Sequence, residues 1–507
     1  MSDTWNGYKN FDEFFTAQCA KFAASPCLTE GETGKSYSYA EMDAWVDRTA
    51  AYLVSLGLTK GDRFATLTRN CPEFFFLYLA SLKLGTLIVP LAVDIPAEGI
   101  RRMAERFGIC TLFFGGESEA LVAGLGDTIP TLIPIRSLAE KVPADRPDKS
   151  LFQNITMDDA GSLYSSSGTT GVPKGIPHTA RNLLAAGRSL ADVYGFGPTD
   201  TQMGVLPCYH TALAMYGFWP SVMVGSNFVL FERFHRTRFW QDLAHYKIAF
   251  VEVVPTILTI LLNASEEGIE YDLKSLRFIG CGSAPLPVNL HHAFEDKFKV
   301  QVANQYGLSE AAPTHLNPPE RAKRKDGSIG RPISVCEVKV VSESGEEVKT
   351  GETGELIMRG DNVIKGYYEL PAESSAVFRD GWFWTGDLGY KDADGFYFLA
   401  GRRKEMISRG GQKVYPNEVD NILLGAVGVK EAATIGVPDP VYGEEVVSYV
   451  TPVDGTTPDE GAILAYCATL LPKYKCPKKI IFIDEIPKTP SGKIMRRVLA
   501  EKYAKEK

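Results

Sequence analysis

Short apolar runs alternate with longer stretches of helical spacing along most of the 507-residue chain. RFATL at 63–67, TLIVP at 86–90, TLFFG at 111–115, NFVLF at 227–231, AFVEVV at 249–254 and SLRFIGCG at 275–282 have the length and β-branched content of buried strands. The segments between them repeat apolar positions at about 3.6 residues, as in NLLAAGRSLADVYG after Thr179. This alternation predicts an α/β fold with largely parallel sheets covered by helices. Beyond Gly327 the pattern changes: SIGRPI, CEVKVVSE, GELIMRG and GFYFLAG read as strands between Gly-rich turns, a small β-rich subdomain. After GRRKEMISRGG a second α/β pattern begins, which places a boundary near residues 402–404 and divides the chain into 1–401 and 402–507.

One segment, FFFLYLASLKLGTLIVPLAV at 74–93, imitates a membrane span. Lys83 would cost roughly 2.5 to 3.5 kcal/mol inside a bilayer, and Gly85 and Pro90 interrupt the run. It reads instead as an amphipathic helix over 72–83 followed by a buried strand. The start of the chain lacks the basic and apolar regions of a secretory signal.

Composition narrows the class. The net charge is −8, from 62 acidic and 54 basic residues, and no basic stripe is present, which argues against a nucleic-acid partner. The nine cysteines are scattered and never spaced C-x-x-C, which fits neither a disulfide framework nor a zinc site and points to a reducing cytoplasm.

The candidate chemistry begins at SSSGTTGVPKG, residues 165–175. Glycines let backbone N–H groups crowd a ligand, hydroxyls add short donors and Lys174 adds charge, which together suit phosphate oxygens. The spacing is not that of the G-x-x-x-x-G-K-[ST] loop, and read alone the stretch also fits a flexible linker. GCGSAPL (280–286), NQYGLSE (304–310), WFWTGDLG (382–389), GRRKEMISRGGQKVYPNEVD (401–420) and PKTPSGKIMRR (487–497) follow.

In this order and at these separations the six stretches resemble the adenylate-forming superfamily of acyl-CoA synthetases, aryl-acid ligases and amino-acid adenylation domains. The resemblance spans nearly the whole chain. It implies a large N-terminal domain of two α/β subdomains and a small β-barrel, hinged to a small α+β C-terminal domain. It also implies ATP-dependent, AMP-forming ligation: a carboxylate attacks the α-phosphate of MgATP to give an acyl-adenylate, and a thiol then displaces AMP. ATP and CoA would be co-substrates and Mg²⁺ the cofactor, in an enzyme that is a monomer or homodimer without a membrane span.

Roles carried over from the resemblance fall on residues as follows. Ser165, Ser166, Ser167, Gly168, Thr169, Thr170, Gly171 and Lys174 would hold the β- and γ-phosphates. Gly282, Ser283, Ala284, Pro285, Asn304, Tyr306, Gly307, Ser309, Asp387 and Arg402 would bind the adenosine and α-phosphate, Asp387 taking both ribose hydroxyls. Glu310 would bind Mg²⁺, which prefers hard carboxylate oxygen. Lys493 would be the catalytic cation of adenylation, Lys404 the hinge, and His210 the gate of the acyl pocket, although a lone histidine among apolar residues also fits a core position. Gly410 and Gly411 would line the pantetheine tunnel, and Lys475 with its neighbouring lysines would face CoA or form a solvated basic face. Ser309 stands where the family more usually has threonine.

Between Pro207 and Pro220 the chain reads PCYHTALAMYGFWP, without an acid to pair an α-amine. The expected substrate is therefore an aryl or short to medium aliphatic acid, with Tyr209, Met215, Tyr216 and Trp219 as an apolar lining. Delivery to a carrier-protein phosphopantetheine instead of free CoA remains the alternative at this level.

Overall fold

The computed structural model describes residues 7–166, 173–264, 271–488 and 493–506. Two large sheets form the bulk of the N-terminal part. The first runs, in spatial order, Arg331–Pro332, Ala311–Leu316, Val302–Leu308, Phe278–Cys281, Phe250–Val253, Gln202–Gly204, Phe228–Leu230, Pro26–Glu30 and Ser36–Ser38. Its six central strands are parallel, and antiparallel strands close both edges. The second sheet, Thr131–Pro134, Thr111–Phe114, Arg63–Leu67, Leu87–Leu91, Ala160–Ser166 and Lys174–Thr179, is parallel except for its last pair. The expected strands are found, most of them a residue or two shorter at one or both ends, as the loss of ladder pairing at strand termini dictates.

The imitation membrane span resolves into the helix Pro72–Leu84 and the strand Leu87–Leu91. Pro72 suits the first helical turn, where its missing N–H leaves no bond unmade, and Gly85 ends the helix in the left-handed region at φ 66°. Lys83, fully buried, meets Asp12 Oδ1 at 2.8 Å, Asp43 Oδ1 at 2.8 Å and Asp47 Oδ1 at 2.6 Å. Burial works against its charge, but the three carboxylates prevail and hold its pKa above the ordinary lysine value. Among the described residues no helix is long and apolar enough to cross a membrane. All nine cysteines are free thiols.

A five-stranded antiparallel sheet, built from Cys336–Val341, Gly354–Gly360, Trp382–Lys391, Phe378–Arg379 and Tyr397–Arg402, forms the β-rich part. The small C-terminal part packs the strands Ile407–Arg409, Gln412–Val414, Val429–Asp439, Gly443–Pro452 and Lys479–Phe482 with the helices Pro416–Leu423, Glu460–Leu470 and Arg496–Lys505. Its two hydrophobic clusters draw only on residues from Ile407 onward, and the clusters of the larger part only on residues up to Leu399. The protein is thus an α/β molecule with a large N-terminal and a small C-terminal domain, each with its own core.

Candidate active site

The strand Val302–Leu308 and its antiparallel neighbour Ala311–Leu316 turn through Ser309 and Glu310. Side chains alternate faces along a strand, so Tyr306 and Gln305 point to opposite sides. The Tyr306 hydroxyl donates to Asp387 Oδ2 at 2.6 Å, and Arg402 Nε lies 2.8 Å from Asp387 Oδ1. Asp387 and Arg402 are cross-strand partners on Trp382–Lys391 and Tyr397–Arg402, so the β-rich sheet fixes their geometry. Burial raises the Asp387 pKa, opposed by the Arg402 guanidinium and the Tyr306 hydroxyl.

The turn beside this corner is held by its backbone. The Ser309 carbonyl accepts from His178 Nε2 at 2.7 Å, and the Glu310 carbonyl accepts from the Ile364 N–H at 3.0 Å. Burial drives His178 down to about 4, so its neutral ring carries the donated proton on Nε2. The Glu310 side chain is oriented by Tyr367, whose hydroxyl donates to Oε1 at 2.9 Å and whose ring carries the Lys174 ammonium 4.6 Å from its centroid. Sequence reasoning passed over Tyr367; a tyrosine pair in KGYYEL gives no periodic signal of its own.

Ser165 and Ser166 pair with Gly175 and Lys174 across the antiparallel strands Ala160–Ser166 and Lys174–Thr179, and the helix expected after Thr179 follows as Ala180–Tyr194. Ser167, Gly168, Thr169, Thr170 and Gly171 lie outside the described residues. Gly282, Ser283, Ala284 and Pro285 follow the strand Phe278–Cys281, with Ser283 in the left-handed region at φ 66°. A Cβ on Gly282 would stand 3.1 Å from the Gln305 carbonyl oxygen, and one on Gly307 only 2.7 Å from the Tyr216 hydroxyl, so close approach requires both glycines. The buried Asn304 uses its Nδ2 to hold the Ser328 carbonyl at 2.7 Å.

Lys493 arrives from the C-terminal domain. It keeps solvent-exposed surface, yet its electrostatic neighbours are Arg402, Lys404, Asp387 and Glu310, all outside that domain's two cores. Lost solvation and the two cations pull its pKa below the ordinary lysine value against the pull of the two carboxylates. The same ammonium acts on His210, which burial and Lys493 together lower to about 4 despite Asp94. His210 is half-buried, its ring 4.8 Å from that of Tyr209, and is neutral at pH 7. The structure therefore brings Lys493 within electrostatic reach of Glu310, Asp387, Arg402 and His210.

Lys404 is exposed and lies between two ties of opposite direction. Arg403 forms an ion pair with Glu355 of the β-rich sheet, and Glu405 Oε2 accepts from Arg496 Nε at 3.3 Å on the C-terminal helix. Glu355 also accepts from the Gly386 N–H at 2.9 Å, which couples the tie to the Asp387 turn.

Four further residues have local structural roles. Gly410 and Gly411, at φ 58° and 81°, form the two-residue turn joining Ile407–Arg409 to Gln412–Val414, a conformation that demands glycine for local reasons. Lys475 Nζ is 2.7 Å from both carboxylate oxygens of Glu418, within the C-terminal domain. Trp219 is core and not pocket: its Nε1 donates to the Tyr78 hydroxyl at 3.2 Å and its ring meets Phe11 edge-on.

Known proteins resemble the chain over most of its length. A profile of AMP-binding enzymes matches residues 15–368, and one of the AMP-binding enzyme C-terminal domain matches residues 418–493. The sulfoacetate–CoA ligase of Cupriavidus necator is 34% identical over 488 residues, covering 94% of this chain and 95% of that protein. The oxalate–CoA ligase of Arabidopsis thaliana is 35% identical, covering 92% and 93%. The ATP-bound crystal structure of MatB from Rhodopseudomonas palustris superposes with a TM-score of 0.89 at 28% identity, covering 97% of this chain and 99% of that one. The apo form of the same protein gives 0.79, so the arrangement seen here is nearer the nucleotide-bound form. With the profile spanning most of its length, the chain belongs to the AMP-binding enzyme family and is an AMP-forming acid–thiol ligase.

Proposed function

We propose that the enzyme activates an aryl or short to medium aliphatic acid with MgATP and transfers the acyl group to CoA, in the cytoplasm. In the first half-reaction a carboxylate oxygen attacks the α-phosphorus, the bond to the β-phosphate oxygen breaks and pyrophosphate leaves. In the second, the CoA sulfur attacks the acyl carbon and the bond to the adenylate oxygen breaks, releasing AMP. Two anions must meet in the first step, and Lys493 lowers that repulsion by standing between the carboxylate and the α-phosphate. Asp387, fixed by Tyr306 and Arg402, accepts from the ribose hydroxyls. The Asn304 Oδ1, its Nδ2 being engaged, accepts from the adenine amine.

Glu310 suits Mg²⁺: it is a hard carboxylate oriented by Tyr367 and set beside Lys174. Among the described residues there is no group of three or more His, Cys, Asp or Glu that could hold a metal ion. Bound there, Mg²⁺ would offset phosphate charge.

The observation that carries this reading is the convergence of Glu310, Asp387, Arg402 and His210 on Lys493, contributed by the other domain. Measuring pyrophosphate release over a panel of carboxylic acids, with and without CoA, tests it. Acid-dependent release stimulated by CoA is expected; no acid-dependent release with any acid overturns it.

A further inference from the structure

Beside Tyr216, one residue of the expected acyl lining, the sheet carries two buried polar side chains. Glu252 sits in the middle of the strand Phe250–Val253, and Gln305 in Val302–Leu308, two strands away on the same face of the sheet. Glu252 is 4% and Gln305 3% exposed. Glu252 Oε2 has no hydrogen-bond partner among the described residues, and neither end of the Gln305 amide has one of standard geometry, although the Tyr194 hydroxyl lies within its reach.

Their position relative to the site is fixed by glycines. On the strand between them, a Cβ at Gly280 would collide with Glu252 Oε2 and stand 2.6 Å from Gln305 Nε2. A Cβ at Gly282, the first residue of the adenosine-binding stretch, would stand 3.1 Å from Glu252 Oε1. Tyr216 bounds the same space: its hydroxyl lies against Gly307, and it is close enough to Glu252 to feel its charge. Tyr216 belongs to the π-helical segment Leu213–Phe218, a wide turn of a kind concentrated at functional sites. Tyr306, with Asp387 and Arg402, occupies the opposite face of the strand, so Glu252 and Gln305 point away from that corner, on the face where Tyr216 of the expected acyl lining lies.

Leaving such groups unpaired in an apolar interior is costly, and a ligand that supplies the missing bonds recovers that cost as specificity. Burial alone pushes the Glu252 pKa well above the carboxylate range, with no cation compensating it, so a second anion in the substrate would find no counter-charge here. We propose that Glu252 and Gln305 are specificity-determining residues of the acyl site, selecting a carboxylic acid that bears a hydrogen-bonding hydroxyl or amino group over a plain hydrocarbon acid or a diacid. This rests on the acid:CoA ligase reading.

The test uses the full-length enzyme and two matched sets of acids: benzoate, 4-hydroxybenzoate, 4-aminobenzoate and terephthalate; and hexanoate, 6-hydroxyhexanoate, 6-aminohexanoate and adipate. In at least one set a donor-bearing acid should exceed its parent in kcat/KM by on the order of tenfold or more, because a site built to hydrogen-bond a substrate rejects the analogue lacking the group. The hydroxyl and amino arms identify which donor is used. Glu252→Leu should bring the ratio to about one, and Glu252→Gln, which keeps hydrogen-bonding capacity, should retain most of it. Gln305→Leu gives a second route to the same collapse if Glu252→Leu does not fold. Preference for the parents or diacids in both sets, or a ratio unchanged in folded Glu252→Leu or Gln305→Leu, overturns the proposal alone. Absence of acid-dependent ATP–pyrophosphate exchange with every acid overturns the ligase reading with it.

Discussion

The Tyr367 hydroxyl donates a 2.9 Å hydrogen bond to Glu310 Oε1, and the same ring lies under the Lys174 ammonium. One side chain thus sets the position of both the candidate metal carboxylate and the candidate phosphate cation. A hydrogen bond to an ionised group is worth about 1.5 to 3 kcal/mol, so Tyr367→Phe should lower kcat/KM for MgATP by roughly tenfold or more while keeping the ring beneath Lys174. Transfer from pre-made acyl-adenylate to CoA needs no metal-bridged polyphosphate and should change little. Measuring both half-reactions checks this, and equal losses in the two would contradict it.

Lys493 and Lys404 should divide the two half-reactions between them. Lys493→Ala removes the cation proposed to reconcile carboxylate and α-phosphate, so adenylation should fall by orders of magnitude while pre-made adenylate still reacts with CoA. Lys404 stands between the Arg403–Glu355 and Glu405–Arg496 ties, one to each domain. Proline there fixes φ near −65° and should hinder the swing of the small domain, slowing thiol transfer more than adenylation. Parallel pyrophosphate-exchange and thioester assays separate the two patterns.

The buried Lys83 tests the core in a different way. Its ammonium answers Asp12, Asp43 and Asp47, two of which also pair with Arg146. Lys83→Met preserves volume but leaves carboxylates buried without their shared cation, a loss of about 3 to 5 kcal/mol by the usual cost of breaking a buried pair. Urea denaturation should show that drop. A loss under about 1 kcal/mol would mean Arg146 and Lys149 already suffice.

These cases also separate what the chain discloses from what it hides. The strands and the helix at 72–84 were legible because they follow simple periodicity and are punctuated by Pro72 and Gly85. The cluster of Tyr306, Asp387 and Arg402 was legible because its members sit in recognisable stretches. Lys83 stood out only as an obstacle to a membrane helix, since its three aspartates lie 36 to 71 residues away in sequence. Glu252 carried a signal that went unused: an acid inside AFVEVV contradicts a wholly apolar strand and needs an explanation. Gly410 and Gly411 have a local reason to be glycine, the hairpin turn, whatever else they face. Tyr367 could not have been found without the fold, which brings it 57 residues back to Glu310.

His315 and His178 predict how the protein responds to acid. Burial lowers His178 to about 4 and His315 to about 3, against an ordinary value near 6.5. Both rings are neutral in the folded state at pH 7, and an unfolded chain would take up protons as pH falls through about 6.5. Between there and about 4 the unfolded state binds more protons, so each histidine should remove stability at roughly 1.4 kcal/mol per pH unit as pH drops. Thr314 Oγ1 lies 3.0 Å from His315 Nδ1, and Nε2 has no partner among the described residues, so nothing there rewards protonation. His315→Asn removes one titrating group and keeps a polar side chain beside Thr314. Its thermal midpoint should be lower than that of the parent at pH 7.5 because packing is lost, yet fall less between pH 7.5 and pH 5. An identical fall in both proteins would show that protonation of His315 contributes nothing to acid unfolding.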